Sequence, residues 1–280
     1  MPKLCAGPGR QAGILLKNSS QLELQEIYRR LFTAWGRQHW WPAQSRFEMI
    51  VGAYLTQNTS WTNVERALAR LRGARALHLN GIRRMPMEKL EELLRPAGYY
   101  RQKAQRLKQF VLFLDKQYQG SLDCMFSRPT DELREELLAL NGVGPETADS
   151  ILLYAGNHPV FVIDAYTRRI LSRHGIAKAD APYEELRALC EQAMGAESLV
   201  AECESLLTPA ASPGVPAPGA GANHTPSRMS RARRSTRVQI FNEMHGLLVG
   251  VAKSYCRKTE ARCEECPLAD LLKTGRCTRV

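Results

Sequence analysis

Long apolar runs are missing from this chain of 280 residues. Nothing approaches the ~18 consecutive apolar residues of a membrane helix, so a membrane span is not expected. A secretory leader is not expected either, because residues 1–17 carry Lys3, Arg10 and Lys17 and no continuous apolar core. Strand-like alternation is absent over any useful length. Acidic residues are in deficit, 28 Asp and Glu against 39 Lys and Arg, which leaves a formal net charge of +11. What is present is globular: 44% hydrophobic and 24% charged residues exclude a wholly disordered chain. The length suits one large domain or two ordinary ones. The basic excess suggests a polyanionic partner, nucleic acid first, with a merely solvated basic surface as the alternative.

Apolar residues recur at helical spacing throughout. Phe47, Ile50, Val51, Tyr54 and Leu55 form one stripe, continued by Val64, Leu68 and Leu71. Leu107, Phe110, Val111, Leu114 and Tyr118 form another, and Leu133, Leu137 and Leu140 a third. Ser45 and Thr130 are predicted helix N-caps, with Gly98, Gly120 and Gly142 as stops. The expected fold class is all-α.

Residues 206–237 break the pattern with five prolines, three glycines and no Asp or Glu. This composition predicts a flexible insertion. Its second half carries Arg228, Arg231, Arg233, Arg234 and Arg237, five of the eleven net charges. Such a strip can grip phosphates nonspecifically or be solvated. Helical patterning resumes at Val238 with Phe241, Met244, Leu248 and Val251 on one face, so the insertion interrupts a domain rather than separating two.

The stretch Leu140-Asn141-Gly142-Val143-Gly144-Pro145-Glu146-Thr147-Ala148 carries the most information. An apolar helix is predicted to end at Leu140, a turn follows with two glycines around Val143, and a new helix starts at Pro145. Glycines let backbone approach another surface closely, and the N-terminus of the new helix suits a phosphate. An ordinary αα corner would use the same residues. Downstream, Asp164 follows the short apolar run Phe161-Val162-Ile163 and precedes a helix predicted over 165–174. It can serve as a helix N-cap, as an acid at the mouth of a cleft, or as both.

The eight cysteines are unevenly placed. Cys5, Cys124, Cys190 and Cys203 are scattered and read as small apolar residues. Cys256, Cys263, Cys266 and Cys277 crowd one tail. With no leader expected, a disulfide framework is not expected either, and the cluster points to metal or iron–sulfur ligation.

Taken together, the hairpin stretch, the Val162-Ile163-Asp164-Ala165-Tyr166 segment and the cysteine tail resemble the endonuclease III superfamily, the helix-hairpin-helix (HhH-GPD) DNA glycosylases of base-excision repair. The resemblance covers roughly residues 25–205 and 237–277. It implies two helical domains with a DNA cleft between them. One is a six-helix barrel over 38–158 containing the hairpin at 140–148. The other combines 18–37 with 159–280, leaving 1–17 as an extension. It further implies a damaged nucleotide flipped out of double-stranded DNA, an intracellular location in cytoplasm or nucleoid, and a monomer.

The resemblance makes Asp164 the catalytic carboxylate, stabilising charge on the sugar or activating water. It assigns Gly142, Val143, Gly144 and Thr147 to the DNA-binding hairpin. Bifunctional members place a Schiff-base lysine two positions after the hairpin; here that residue is Glu146. No lysine lies between Lys116 and Lys178. A monofunctional glycosylase is therefore expected. The alternatives are a bifunctional glycosylase/AP lyase for oxidised pyrimidines and a non-catalytic helix-hairpin-helix DNA-binding protein.

Trp40-Trp41-Pro42, Leu55-Thr56-Gln57-Asn58-Thr59-Ser60-Trp61 and Arg95-Pro96-Ala97-Gly98-Tyr99-Tyr100-Arg101-Gln102-Lys103-Ala104 are similar to the 3-methyladenine glycosylase branch. In that branch aromatic rings sandwich an alkylated purine, which gains from stacking when cationic. Trp61 and one of Trp40 or Trp41 are the candidates, with core packing as the alternative. Gln57 matches the residue that fills the space near the flipped base's vacancy. His245 matches a family position in the helix before the cysteines.

The spacing Cys256-x6-Cys263-x2-Cys266 matches the start of the family's [4Fe–4S] pattern. The usual fourth position is Leu272, and Cys277 follows after ten intervening residues instead. Zinc and no metal are the alternatives. The family's cluster orders a basic loop against DNA, here Arg257, Lys258 and Arg262.

Overall fold

The computed structural model describes residues 8–207 and 226–272, with backbone alone for 8–17 and 205–206. The described residues are helical, with no strand and one isolated bridge between Cys256 and Ala261. In chain order the α-helices are α1 (Pro8–Trp35), α2 (Arg46–Leu55), α3 (Trp61–Gly73), α4 (Leu79–Arg84), α5 (Met87–Leu94), α6 (Tyr100–Tyr118) and α7 (Leu122–Phe126). They continue with α8 (Thr130–Leu138), α9 (Pro145–Ser150), α10 (Ala165–Arg173), α11 (Tyr183–Met194), α12 (Glu197–Leu206) and α13 (Thr236–Ser254). The chain divides into two compact units. One comprises Trp41–Val160 with Thr225–Arg233, the other Met1–Trp40, Phe161–His224 and Arg234–Val280.

The first of these units is built around α2. The Ser45 hydroxyl accepts the Glu48 N–H and starts the helix. From Phe47 to Leu55 every residue is buried, as expected of a helix apolar on all sides. α3, α6 and α9 pack around it, and α4, α5 and α7 lie against α6. Phe110 is fully buried beside Tyr54; truncating such a ring to alanine costs ~3–5 kcal/mol. Lys103 is also buried, and its ammonium donates to the carbonyls of Leu55 and Ala97 at 2.9 and 2.8 Å. Burial, then the nearby Arg106 charge, pushes the Lys103 ammonium down to about 8.

The other unit is built around α13, buried along its length from Val238 to Ala252. α1, α10, α11 and α12 pack on it. Phe161 and Phe241 meet edge to face at 5.6 Å. Glu243 lies wholly inside, accepting the Gln38 N–H at 2.5 Å and the Gln239 amide at 2.7 Å. Burial pushes its carboxyl up, against the pull of those donors and of Arg37.

Two local expectations change. Thr130 is the first residue of α8 rather than its cap; Pro129 precedes it, and the threonine hydroxyl pairs instead with His158 Nδ1 at 2.9 Å. α8 ends at Leu138, two residues before the expected Leu140. Of the flexible insertion expected over 206–237, residues 208–225 lie outside the described residues. α12 runs through Leu206, α13 starts at Thr236, and Ser227, Met229 and Ser230 are buried against the Trp41 unit.

Candidate functional site

The hairpin is held from three sides within its own unit. Val143 N–H donates to Leu140 O at 3.1 Å and the valine side chain is buried, which fixes the turn to the core. Gly142 adopts φ 76°, the left-handed region that favours glycine. A Cβ there would fall 1.9 Å from Arg106 Nε, so space and backbone both demand glycine. Gly144 is exposed with φ −95°, and a Cβ there would meet nothing within 4 Å. Pro145 opens α9 as expected, and Arg134 ties α8 to α9 through buried Asp149 at 2.7 Å. A π-helical turn over Ile151–Ala155 continues α9.

Gln57, just past α2, joins this structure. Its amide nitrogen donates to Gly142 O at 2.9 Å and to Thr147 Oγ1 at 3.0 Å, while its oxygen accepts from Arg106 at 2.6 Å. Its amide nitrogen is thus held by the hairpin and its oxygen by Arg106 of α6. Gln57, Arg106, Gly142, Gly144, Thr147 and Glu146 line one open pocket. Glu146 is exposed in the first turn of α9.

The tryptophans separate. Trp41 is buried, edge to face with Trp61 at 5.2 Å and tilted against Tyr154 at 5.2 Å. Gly52 lets the Trp41 ring lie on α2, with a hypothetical Cβ already 3.5 Å from the indole. Trp61 is half-buried as the first residue of α3. Trp40 belongs to the other unit, where it meets His245 edge to face at 6.3 Å and lies under the Lys253 ammonium at 6.0 Å. The adjacent pair therefore does not act as one stacking surface within a unit.

Asp164 caps α10. Its Oδ1 accepts the Thr167 N–H at 2.7 Å, and its Oδ2 faces His245 Nε2 across 3.4 Å. Burial, the largest single influence, disfavours the charged carboxylate. The His245 imidazole and Thr167 together outweigh it and hold the carboxyl below the usual carboxylate range. The arrangement yields a largely enclosed carboxylate kept ionised, with both oxygens oriented.

The cysteine tail follows α13 directly. Cys256, Cys263 and Cys266 line one cavity together with Arg173, His174, Val251, Tyr255 and Leu268. Arg173 Nη1 donates to Cys256 Sγ at 3.2 Å and to Arg257 O at 2.7 Å. Arg169 Nε donates to Cys256 O at 2.7 Å. No three donors are set to hold a single metal ion among the described residues. Cys277 and Cys5 lie outside the described residues. In chemistry the lining suits an iron–sulfur cluster: thiols, apolar walls and an N–H on sulfur.

A family model for HhH-GPD superfamily base excision DNA repair proteins matches residues 51–195. That span holds the hairpin and Asp164. The chain belongs to this superfamily. A Methanocaldococcus jannaschii relative named for DNA repair glycosylase activity is 38% identical over 249 residues, 88% of this chain and 94% of its own. The H. pylori 3-methyladenine DNA glycosylase, solved with 1,N6-ethenoadenine, aligns with a TM-score of 0.64 at 28% identity, over 84% of this chain and 97% of that one. An endonuclease III trapped covalently on DNA shares the fold, with a TM-score of 0.62 at 19% identity over 92% and 96% of the two chains. At the coarse level this HhH-GPD chain is a DNA glycosylase of base-excision repair.

Within this HhH-GPD protein, the structure brings Gln57, Gly142, Val143, Gly144, Glu146 and Thr147 together, and Trp41 with Trp61. It pairs Asp164 with His245 in the other unit. Arg106 was missed by the sequence reading. It lies on α6, far from the hairpin in sequence, inside a run of charged residues that looks like ordinary solvated surface. Nothing short of tertiary packing singles it out.

Proposed function

We propose that the chain is a monofunctional glycosylase that hydrolyses the N-glycosidic bond of an alkylated purine in double-stranded DNA and leaves an abasic site. The observation that carries the reading is Asp164, a mostly enclosed carboxylate kept ionised by His245 and the Thr167 N–H. Such a group stabilises positive charge that develops on the sugar as the bond breaks, or takes a proton from the attacking water. Glu146 at the start of α9 has no amine for a Schiff base. Lys103 is the buried lysine with a lowered ammonium pKa, and its nitrogen is engaged by two carbonyls.

The choice of an alkylated purine is supported by the half-buried Trp61 indole, a ring type that stacks on cationic bases, and by the likeness to the H. pylori enzyme. Cys256, Cys263 and Cys266, with Cys277 as fourth ligand, would hold a [4Fe–4S] cluster. Its part when bound is to order the loop carrying Arg257, Lys258 and Arg262; the chemistry on the sugar is left to Asp164.

Base release measured across alkylated, oxidised and mismatched duplexes tests the substrate, with alkylated purine expected to be released fastest. Borohydride treatment during turnover tests the chemistry. No appreciable covalent protein–DNA adduct is expected, and efficient trapping would sink the monofunctional assignment.

A further inference from the structure

Residues 226–233 form a seated strap on the Trp41 unit. The Ser227 hydroxyl accepts the Ala43 N–H at 3.2 Å and the Ser230 N–H at 3.0 Å, and donates to Trp41 O at 3.3 Å. Met229 N–H donates to Ala43 O at 3.1 Å, and the methionine side chain is buried. Arg231 N–H and Ala232 N–H close turns onto Ser227 O and Met229 O. Ser227, Met229 and Ser230 therefore face inward, while Arg228, Arg231 and Arg233 are exposed.

Some arginines of the same unit are ion-paired, and others, such as Arg66, Arg75 and Arg84, hold no carboxylate among the described residues. Arg46, Arg72, Arg83, Arg101, Arg128 and Arg134 each hold a carboxylate within 3.6 Å. Arg228, Arg231 and Arg233 have no carboxylate partner among the described residues, and residues 206–237 contain no Asp or Glu at all. A loop that only needed solubility would not need its backbone pinned at Trp41 and Ala43. Pinning shortens the range over which three like charges fluctuate and lowers the entropic cost of placing them on a polyanion. The anchor backbone is also the one that carries the Trp41 ring, edge to face with Trp61.

We propose that Arg228, Arg231 and Arg233 form a phosphate-binding strap that grips duplex DNA alongside Trp41 and Trp61. The strap deepens the glycosylase reading and rests on it. It makes the arginine-rich stretch a positioning device: it reads no base and strengthens binding to any duplex equally.

The test uses the full chain and a short, labelled, undamaged DNA duplex, with anisotropy titrations from ~50 to ~200 mM salt. The triple variant R228Q/R231Q/R233Q should reduce the slope of log affinity against log salt by ~2.7, about 0.9 for each lost phosphate contact. R228K/R231K/R233K should keep the parental slope, because the slope counts charges. Circular dichroism melts of both variants should match the parent, since the guanidiniums are exposed. A glutamine variant with the parental slope would overturn the strap alone, provided the parent releases base and binds with salt dependence. A parent with no salt-dependent duplex binding would overturn the strap and the glycosylase reading together. A slope change confined to an RNA duplex would overturn the assignment to DNA.

Discussion

Asp164 has one oxygen on the Thr167 N–H and the other facing His245. Cap and catalyst are thus the same side chain, and substitution can separate them. Asparagine caps a helix as well as aspartate does. Asp164→Asn should therefore melt close to the parent yet lose base release by ~100-fold or more, with duplex affinity retained. Against burial, His245 and Thr167 hold the carboxyl below the usual carboxylate range, His245 the more strongly. A carboxyl whose folded value is lowered contributes stability above its unfolded value of ~3.9 and loses it as pH falls through the folded value. Removing His245 should raise the Asp164 value, so the acid limb of the base-release profile moves to higher pH. His245→Leu, which loses the imidazole and its donor, should move it further than His245→Gln, which keeps a donor. An unmoved limb in the leucine variant would show that His245 only fills space. The acid and its capping position were legible in the sequence because both are local. The partner was not, since it comes from α13 and only folding brings it to α10.

At the scale of elements, the hairpin depends on one glycine far more than on the other. Gly142 needs its positive φ, and Arg106 occupies the space a Cβ would take. Gly142→Ala should cost ~1–3 kcal/mol for the left-handed backbone alone. It should also displace Arg106 and so loosen the Gln57 amide from Thr147. Gly144→Ala meets open space at ordinary φ and should stay within ~0.5 kcal/mol of the parent. Urea melts of the two single variants test this; equal costs would mean that Arg106 does not brace the turn. Helix periods and the Gly-Val-Gly-Pro turn were readable from apolar spacing and residue type. The end of α8 was not: Leu140 continues the apolar stripe, but its N–H already bonds back to Leu137 O and its carbonyl accepts Val143 in the turn. Thr130 looked like a cap because threonine caps well, but Pro129 takes that place and the hydroxyl goes to His158.

For the whole molecule, charge was the weakest guide and long-range closure the hardest feature to read. The net +11 suggested a polyanion, yet it did not show that Arg228, Arg231 and Arg233 stand on a pinned backbone. Pro and Gly content gave no hint that residues 226–233, the described part before α13, are seated. Buried Ser227 and Met229, single small or apolar residues among arginines, have no periodic signature to reveal it. The cysteine spacing was legible, but the element that fastens the tail was not. Two arginines of α10 do it: Arg169 holds the Cys256 carbonyl, and Arg173 spans Cys256 Sγ, Arg257 O and Lys258 O. These bonds need no metal, so the tail should keep part of its order when any bound cluster is lost, unlike a small metal-folded domain. Arg173→Ala removes three donations from a buried guanidinium and should cost roughly 1–3 kcal/mol. Arg173→Lys should fall between, because an ammonium cannot span acceptors that a planar fork reaches. After reconstitution with iron and sulfide, the alanine variant should also bleach faster in the visible, since Cys256 loses the N–H on its sulfur. If Arg173→Ala unfolds in urea at the parental midpoint, α10 is not what anchors the tail.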